Sequence, residues 1–365
     1  MRKEKLLKWL IYLSGIICLY AFIAIRSLPL FNAVLKEKMV PGYWDKTKYG
    51  ELYYFSMISH FREKGLPPVN EKYQFSENQD RIEDAEVFVF GDSFFDIARG
   101  TQFPKRIKEE TEKNVHYVYQ ESPLEYFARM DYKNNKPKLL IYGRVERFIP
   151  LEFEKQHEAI FISDNRSKIR KILAGIKNKI FYKKTEELSD ALLKRSYFTT
   201  VIYSLIATLK FDLFKYISNL TPVYGFVNKT PWLFYRDQVN GEVTSFYYRH
   251  SQEEIENICN NILDLDRKLM ENYNIKLVFL PIPAKYTLYH SLFNNDKYNN
   301  FLPRLYNELD KKGIKFIRIY KDYINSENIL YYGTDSHWKI KGMDMAVDKI
   351  MEFLKNDSTL NHYIN

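Results

Sequence analysis

From Asp84 onward the chain alternates short apolar runs with amphipathic stretches, and each apolar run ends in a turn. Ala85-Glu86-Val87-Phe88-Val89-Phe90 is β-rich and leads into Gly91-Asp92-Ser93. A helix is expected around 102–113, a strand at Val115–Tyr119, and a second helix near Pro123–Tyr132. Lys138-Leu139-Leu140-Ile141-Tyr142 reads as a third strand ending at Gly143. Apolar runs spaced by helical patterns predict a parallel sheet with helical crossovers. The rhythm breaks near residue 150 and resumes with a helix over Gln252–Asn272 and a strand at Ile275–Leu280. A helix near 296–311, a strand at Ile314–Tyr320 and a last helix at about 341–355 complete it.

Two segments follow other patterns. Trp9 to Ile25 is free of charge, and its seventeen residues would rise about 25 Å as a helix, near the short limit for a membrane span. Arg2, Lys3, Lys5 and Lys8 precede it, with Glu4 the one acid. Basic residues before an apolar span predict a cytoplasmic N-terminus and an outward-facing remainder. A cleaved signal peptide is the rival, but the run ends Ala21-Phe22-Ile23-Ala24-Ile25-Arg26 without a clean Ala-x-Ala site. The second segment, 165–185, holds eight basic residues and no acid, with Ile169, Ile172, Leu173, Ile176 and Ile180 at helical spacing. It reads as a basic amphipathic helix, either a solvated face or a contact for anionic headgroups or a membrane partner.

Composition narrows the class. Of 365 residues, 45% are hydrophobic and 28% charged, a globular profile. The two cysteines are Cys18, inside the apolar run, and Cys259, so an intramolecular disulfide is implausible and the core must hold the fold. The net charge is +9, yet no nucleic-acid-binding signature accompanies it. Neither a cofactor motif nor a metal set is called for. The 30 Tyr and 26 Phe fit a glycan ligand, or a genome biased toward such codons.

Gly91-Asp92-Ser93 is the first candidate for chemistry. A serine at the carboxyl edge of a parallel strand, on a turn into a helix, stands in the crevice where open α/β sheets bind ligands. Its hydroxyl needs a base to become nucleophilic. The plainer alternative for such a turn is a helix start capped by Asp92 or Ser93. Asp335-Ser336-His337 supplies the second candidate. In extended backbone, residues two apart point the same way, so Asp335 can orient the His337 ring and leave its far nitrogen for Ser93. A surface-loop histidine beside a capping aspartate is the plainer alternative.

Gly-Asp-Ser after a first strand, with one late loop carrying both acid and histidine, resembles the SGNH hydrolase superfamily. The short form Asp335-Ser336-His337-Trp338 is similar to the alginate O-acetylation proteins and related polysaccharide acetyltransferases. Softer likenesses are Pro281-Ile282-Pro283-Ala284-Lys285 with Tyr289, Glu146-Arg147, and Trp232-Leu233-Phe234. In the alginate proteins the Asp-x-His precedes Gly-Asp-Ser, whereas here it follows. The family's Gly and Asn oxyanion donors have no clear counterparts: Gln120-Glu121-Ser122-Pro123 lacks a Gly, and Gly143-Arg144 stands where Gly-x-Asn belongs.

The resemblance implies a three-layer αβα fold with a Ser93–His337–Asp335 triad. It implies O-acyl, most often acetyl, transfer to an extracytoplasmic polysaccharide, with an acyl-exporting membrane acyltransferase as partner. A glycan esterase with the same triad and an idle glycan-binding subunit stay open. Gly143 or Arg144 would complete the oxyanion hole; Arg144, Arg147 and Lys285 could line the cleft, and Tyr289 and Trp338 could stack on sugar or pack in the core. The expected organisation is an anchor (1–31), a juxtamembrane segment (32–84), a first half of the core (85–150), a helical insertion (151–229) and a second half (230–365).

Overall fold

The computed structural model describes Trp9, residues 11–16, Leu19 and residues 49–66, 80–95, 102–133, 136–153, 197–293 and 297–363. The chain divides into two compact units, one of Met1–Thr47, Met57–His60 and Ile160–Tyr216, the other of Lys48–Ser56, Phe61–Ala159 and Ile217–Asn365.

The larger unit begins with the short helix α1 (Glu51–Ser56). Then come β1 (Val87–Gly91), α2 (Phe103–Thr111), β2 (Val115–Tyr119), α3 (Pro123–Arg129), β3 (Lys138–Val145) and α4 (Ile149–Phe153). In the smaller unit, α5 (Tyr197–Phe214) is held where Ser59 N–H donates to Thr208 Oγ1 at 2.9 Å. The larger unit continues with β4 (Val223–Val227), β5 (Thr230–Phe234), α6 (Gln252–Tyr273), β6 (Ile275–Ile282) and α7 (Lys285–Tyr289). It ends with α8 (Phe301–Lys311), α9 (Tyr320–Ile324) and α10 (Ile340–Asn356).

Four parallel strands pair in the order β2-β1-β3-β6. Successive side chains on a strand point to opposite faces, and both faces here are covered. Phe88, Phe90, Leu140, Tyr142, Leu277 and Phe279 pack toward α3, α4, α6 and α8. Val87, Val89, Leu139, Ile141, Val278 and Leu280 pack toward α2 and α10. Burial on both sides explains why β1 and β3 read as continuous apolar runs rather than alternating ones. This α/β architecture with a parallel sheet fits an SGNH-like fold.

Local chemistry sets the element ends. Ser251 and Glu254 form a capping box at the start of α6, and Asn274 closes it in the left-handed conformation. β3 runs past its expected end to Val145, which places Gly143 and Arg144 inside the ladder opposite Leu280 and Pro281. The expected strand at Ile314–Tyr320 is only a parallel bridge, Phe279 to Phe316, because the chain turns into α9 at Tyr320. β4 and β5 form an antiparallel hairpin that is not among the expected elements; its turn residues Asn228 and Lys229 both have positive φ. Among the described residues no helix is long and apolar enough to cross a membrane. Most of the expected anchor, and the basic segment 165–185, lie outside the described residues.

Candidate active site

The sheet order changes direction between β1 and β3, and the crevice outside such a reversal is where doubly wound sheets bind ligands. Ser93 follows β1 at that edge. Its turn is built by Asp92: Oδ1 accepts from Phe94 N–H at 3.0 Å, and the Asp92 carbonyl accepts from Phe95 N–H at 3.0 Å and Tyr117 Oη–H at 3.1 Å. Asp92 is therefore a buried scaffold for the turn. Ser93 stays half-buried, and among the described residues its N–H meets no acceptor.

His337 arrives from the loop between α9 and α10. Its Nε2 lies 2.7 Å from Ser93 Oγ, and its Nδ1 is hydrogen-bonded to Asp335 Oδ1. The loop is closed like a hairpin: Tyr332 N–H donates to the His337 carbonyl at 3.2 Å and Lys339 N–H to Leu330 at 2.6 Å. Phe94 places its ring 5.2 Å from the imidazole. Burial alone would lower the His337 pKa, but Asp335, Glu51 and Asp92 together outweigh it and hold the ring above its ordinary value.

The loop is fastened from the chain's beginning, by residues that sequence reasoning placed in a juxtamembrane stretch. Glu51 N–H donates to Asp335 Oδ2 at 3.2 Å, while Leu52 and Tyr53 N–H donate to the Thr334 carbonyl at 3.0 and 3.3 Å. These amides belong to the first turn of α1, where no carbonyl one turn back can take them, so the carboxylate of Asp335 is met by a helix-end donor. Glu51 Oε1 accepts from Ser336 Oγ–H and lies 4.0 Å from His337 Nδ1. Gly50, at φ +95°, permits this approach: a Cβ there would sit 2.1 Å from the Thr334 carbonyl oxygen. Glu51, Asp335 and His337 offer donor atoms within 4.8 Å of one another. The direct Asp335–His337 bond occupies Nδ1 and turns the other ring nitrogen to Ser93.

The other residues singled out from sequence lie deeper. Lys285 is 1% exposed, and Nζ donates to the carbonyls of Leu233 (2.8 Å), Gly333 (2.5 Å) and Asp335 (3.1 Å) over the rings of Trp232 and Phe234. Burial pushes its pKa down, to about 7, against the pull of Glu63, Asp335 and Glu51. In its charged form Nζ has one proton for each of the three acceptors. Lys285 thus ties the β5 hairpin to the triad loop instead of lining an open cleft.

Trp338 is fully buried among Phe94, Phe95 and Phe103 and donates Nε1–H to the Phe94 carbonyl at 2.8 Å, so it packs the serine turn and cannot stack on a ligand. Tyr289 packs against Trp232 and Tyr331, its hydroxyl accepting from Leu330 N–H at 2.8 Å, and burial pushes it up to about 12. Arg144 is buried over Tyr142 and bonded to Glu152. Arg147 is buried over Phe148 and Tyr235. The Phe95 ring covers the α-carbon of Gly143.

Glu146 was a softer likeness, and it anchors the turn after β6. Its carboxylate accepts from Ala284 N–H at 2.9 Å and Tyr298 Oη–H at 2.6 Å, and burial raises its pKa. The role of Glu51 beside the distant Asp335–His337 segment carries no local signal. The β4–β5 hairpin does carry one, since Asn228-Lys229 between two β-rich runs suits a two-residue turn.

No curated protein and no solved structure matches the chain. One family model does, over a stretch that includes Lys285, Asp335 and His337 and begins after Ser93. Residues 227–363 match ALGX, the SGNH hydrolase-like domain of the acetyltransferase AlgX, which is the alginate O-acetylation branch that the motifs resemble.

Proposed function

We propose that this protein is an extracytoplasmic, membrane-anchored O-acyltransferase that moves an acyl group, most simply acetyl, onto hydroxyls of a polysaccharide through a Ser93 acyl-enzyme. The observation that carries the reading is the 2.7 Å contact between Ser93 Oγ and His337 Nε2, with Nδ1 held by Asp335. The match to an acetyltransferase domain supports the same class.

In the first half-reaction Ser93 Oγ attacks the acyl carbonyl of the donor while His337 Nε2 takes its proton. The Asp335 carboxylate stabilises the imidazolium that results. The Ser93 N–H, which has no acceptor among the described residues, is a candidate donor to the tetrahedral oxyanion. Collapse expels the donor's leaving group, which takes the proton from His337. In the second half-reaction a sugar hydroxyl loses its proton to His337 and attacks the ester. Ser93 Oγ then leaves and recovers the proton. Water in place of the sugar would make the same machine an esterase.

An acyl donor outside the cytoplasm has to be exported. The reading therefore includes a membrane-embedded acyltransferase as partner and the apolar run Trp9–Ile25 as the tether beside it.

The test is intact-protein mass after brief exposure to 4-nitrophenyl acetate, with Ser93→Ala alongside. A single acetyl adduct on wild type, absent from the variant, is the expected result. Ser93-dependent nitrophenol release without an adduct would move the assignment to an esterase. No adduct and no release above background in either protein would overturn the catalytic reading.

A further inference from the structure

We propose that Glu51 is a positioning residue of this site, setting a second carboxylate beside the imidazole of His337 and steadying the Asp335–Ser336–His337 segment through Ser336. The inference rests on the functional reading above only in so far as it assigns His337 as the base; the geometry stands apart from it.

Glu51 is fixed by both ends of the residue. Its backbone N–H is committed to Asp335 Oδ2 at 3.2 Å, and its side chain accepts from Ser336 Oγ–H. Ser336 is 2% exposed, so its hydroxyl depends on an internal acceptor. With these two bonds made, Glu51 Oε1 stands 4.0 Å from His337 Nδ1, on the side of the ring away from Ser93. The next residues of α1 repeat the attachment, since Leu52 and Tyr53 N–H both point at the Thr334 carbonyl. A helix that merely covered the loop would need none of these polar contacts.

The charges facing His337 can be followed element by element. Asp335 comes from its own loop, Glu51 from α1, and Asp92 from the turn after β1. The Lys285 ammonium lies behind Asp335, bonded to its carbonyl, and opposes the carboxylates from there. When Ser93 gives up its proton, positive charge develops on the imidazole. Asp335 meets that charge through a direct hydrogen bond, and Glu51 meets it through space. The side chain of Glu51 is 24% exposed, so water screens it in part. Its effect should be smaller than that of Asp335 and should act on protonation more than on ring orientation.

The experiment compares the full-length chain with Glu51→Gln and Ser336→Ala. Gln keeps an acceptor for Ser336 and removes only the charge; Ala at 336 removes the contact and keeps the charge. Two readouts are used: the pH profile of kcat/KM for 4-nitrophenyl acetate, and the ring-proton NMR titration of His337, assigned by its loss in His337→Gln. The expected result is that Glu51→Gln lets His337 lose its proton at lower pH. At about pH 5.5 the variant would then retain roughly threefold more of its own plateau rate than wild type does. Ser336→Ala should leave the titration in place.

An unmoved titration in Glu51→Gln would overturn the proposal. So would an equal displacement in both variants, which would assign the effect to loop packing. If wild type shows no Ser93-dependent turnover while Glu51→Gln still displaces the His337 titration, the enzymatic reading falls and the positioning of the imidazole by Glu51 stands.

Discussion

Thr334 gives its backbone N–H to Glu63 Oε2 at 2.7 Å, and its hydroxyl lies 2.8 Å from the same oxygen. The two residues are 271 positions apart, and Thr334 immediately precedes Asp335. Both are buried, so the carboxylate oxygen is the internal partner that excluded water would otherwise be. Glu63→Ala should leave the Thr334 amide without an acceptor and cost about 1–3 kcal/mol. Glu63→Gln retains an acceptor oxygen and should cost less. Denaturant unfolding of the two variants checks the order, and equal stabilities would mean that the contact is replaceable.

A second prediction concerns the Asp335–His337 bond. Asp335 is 1% exposed and its Oδ1 fixes the proton on Nδ1, which leaves Nε2 free to accept from Ser93. Asn at 335 can present an N–H to Nδ1 and so select the wrong tautomer. Turnover of 4-nitrophenyl acetate by Asp335→Asn should fall by on the order of 10³–10⁴-fold with the fold intact. The check is single-turnover nitrophenol release beside a circular dichroism spectrum. A loss of less than tenfold would show that Asp335 does not govern the ring.

These two cases separate what the chain discloses from what it hides. β1, β3 and β6 are legible because strands buried on both faces must be continuous apolar runs. Asp335 and His337 are legible because their contact is local, two residues apart. Glu51 and Glu63 are not, because their partners lie in a loop more than 270 residues later. Lys285, Trp338 and Arg147 look like cleft residues in sequence because a charge or an indole at a strand end suggests a ligand. The rings and carbonyls that enclose them come from distant segments. The end of β3 is obscured for a related reason: Gly143-Arg144 resembles a turn, yet pairing with β6 continues to Val145.

The raised pKa of His337 makes activity and stability run in opposite directions. As a base, His337 must be neutral, so turnover should fall as pH drops through its raised value, above the ordinary value of about 6.5. For stability the sign is reversed. A group whose folded pKa exceeds its unfolded one contributes stability that is full below the unfolded value and is lost as pH rises through the folded one. The Tm advantage of wild type over His337→Gln should therefore shrink across the interval in which turnover rises. Thermal melts and pH–rate profiles on the same samples check this, and a Tm difference independent of pH would refute it.

Lys285 provides the last prediction, and its sign is again set by burial. Its folded pKa is lowered to about 7 from 10.5, so the unfolded chain holds this proton more tightly. Linkage then gives a stability contribution that rises with pH between those values. Met at this position matches the length of the side chain and has no proton to exchange, so Lys285→Met should lose that rise. It also leaves the carbonyls of Leu233, Gly333 and Asp335 without their donor. At neutral pH that loss should dominate, because hydrogen bonds to a charged group are worth about 1.5–3 kcal/mol each and buried acceptors left unmet add to the cost. The variant should be less stable than wild type near pH 7. It should also turn over more slowly, since two of the three carbonyls belong to the segment that positions His337. Unfolding curves from pH 7 to about 10 decide the matter. A variant as stable and as active as wild type would show that the hairpin and the triad loop hold together without the ammonium between them.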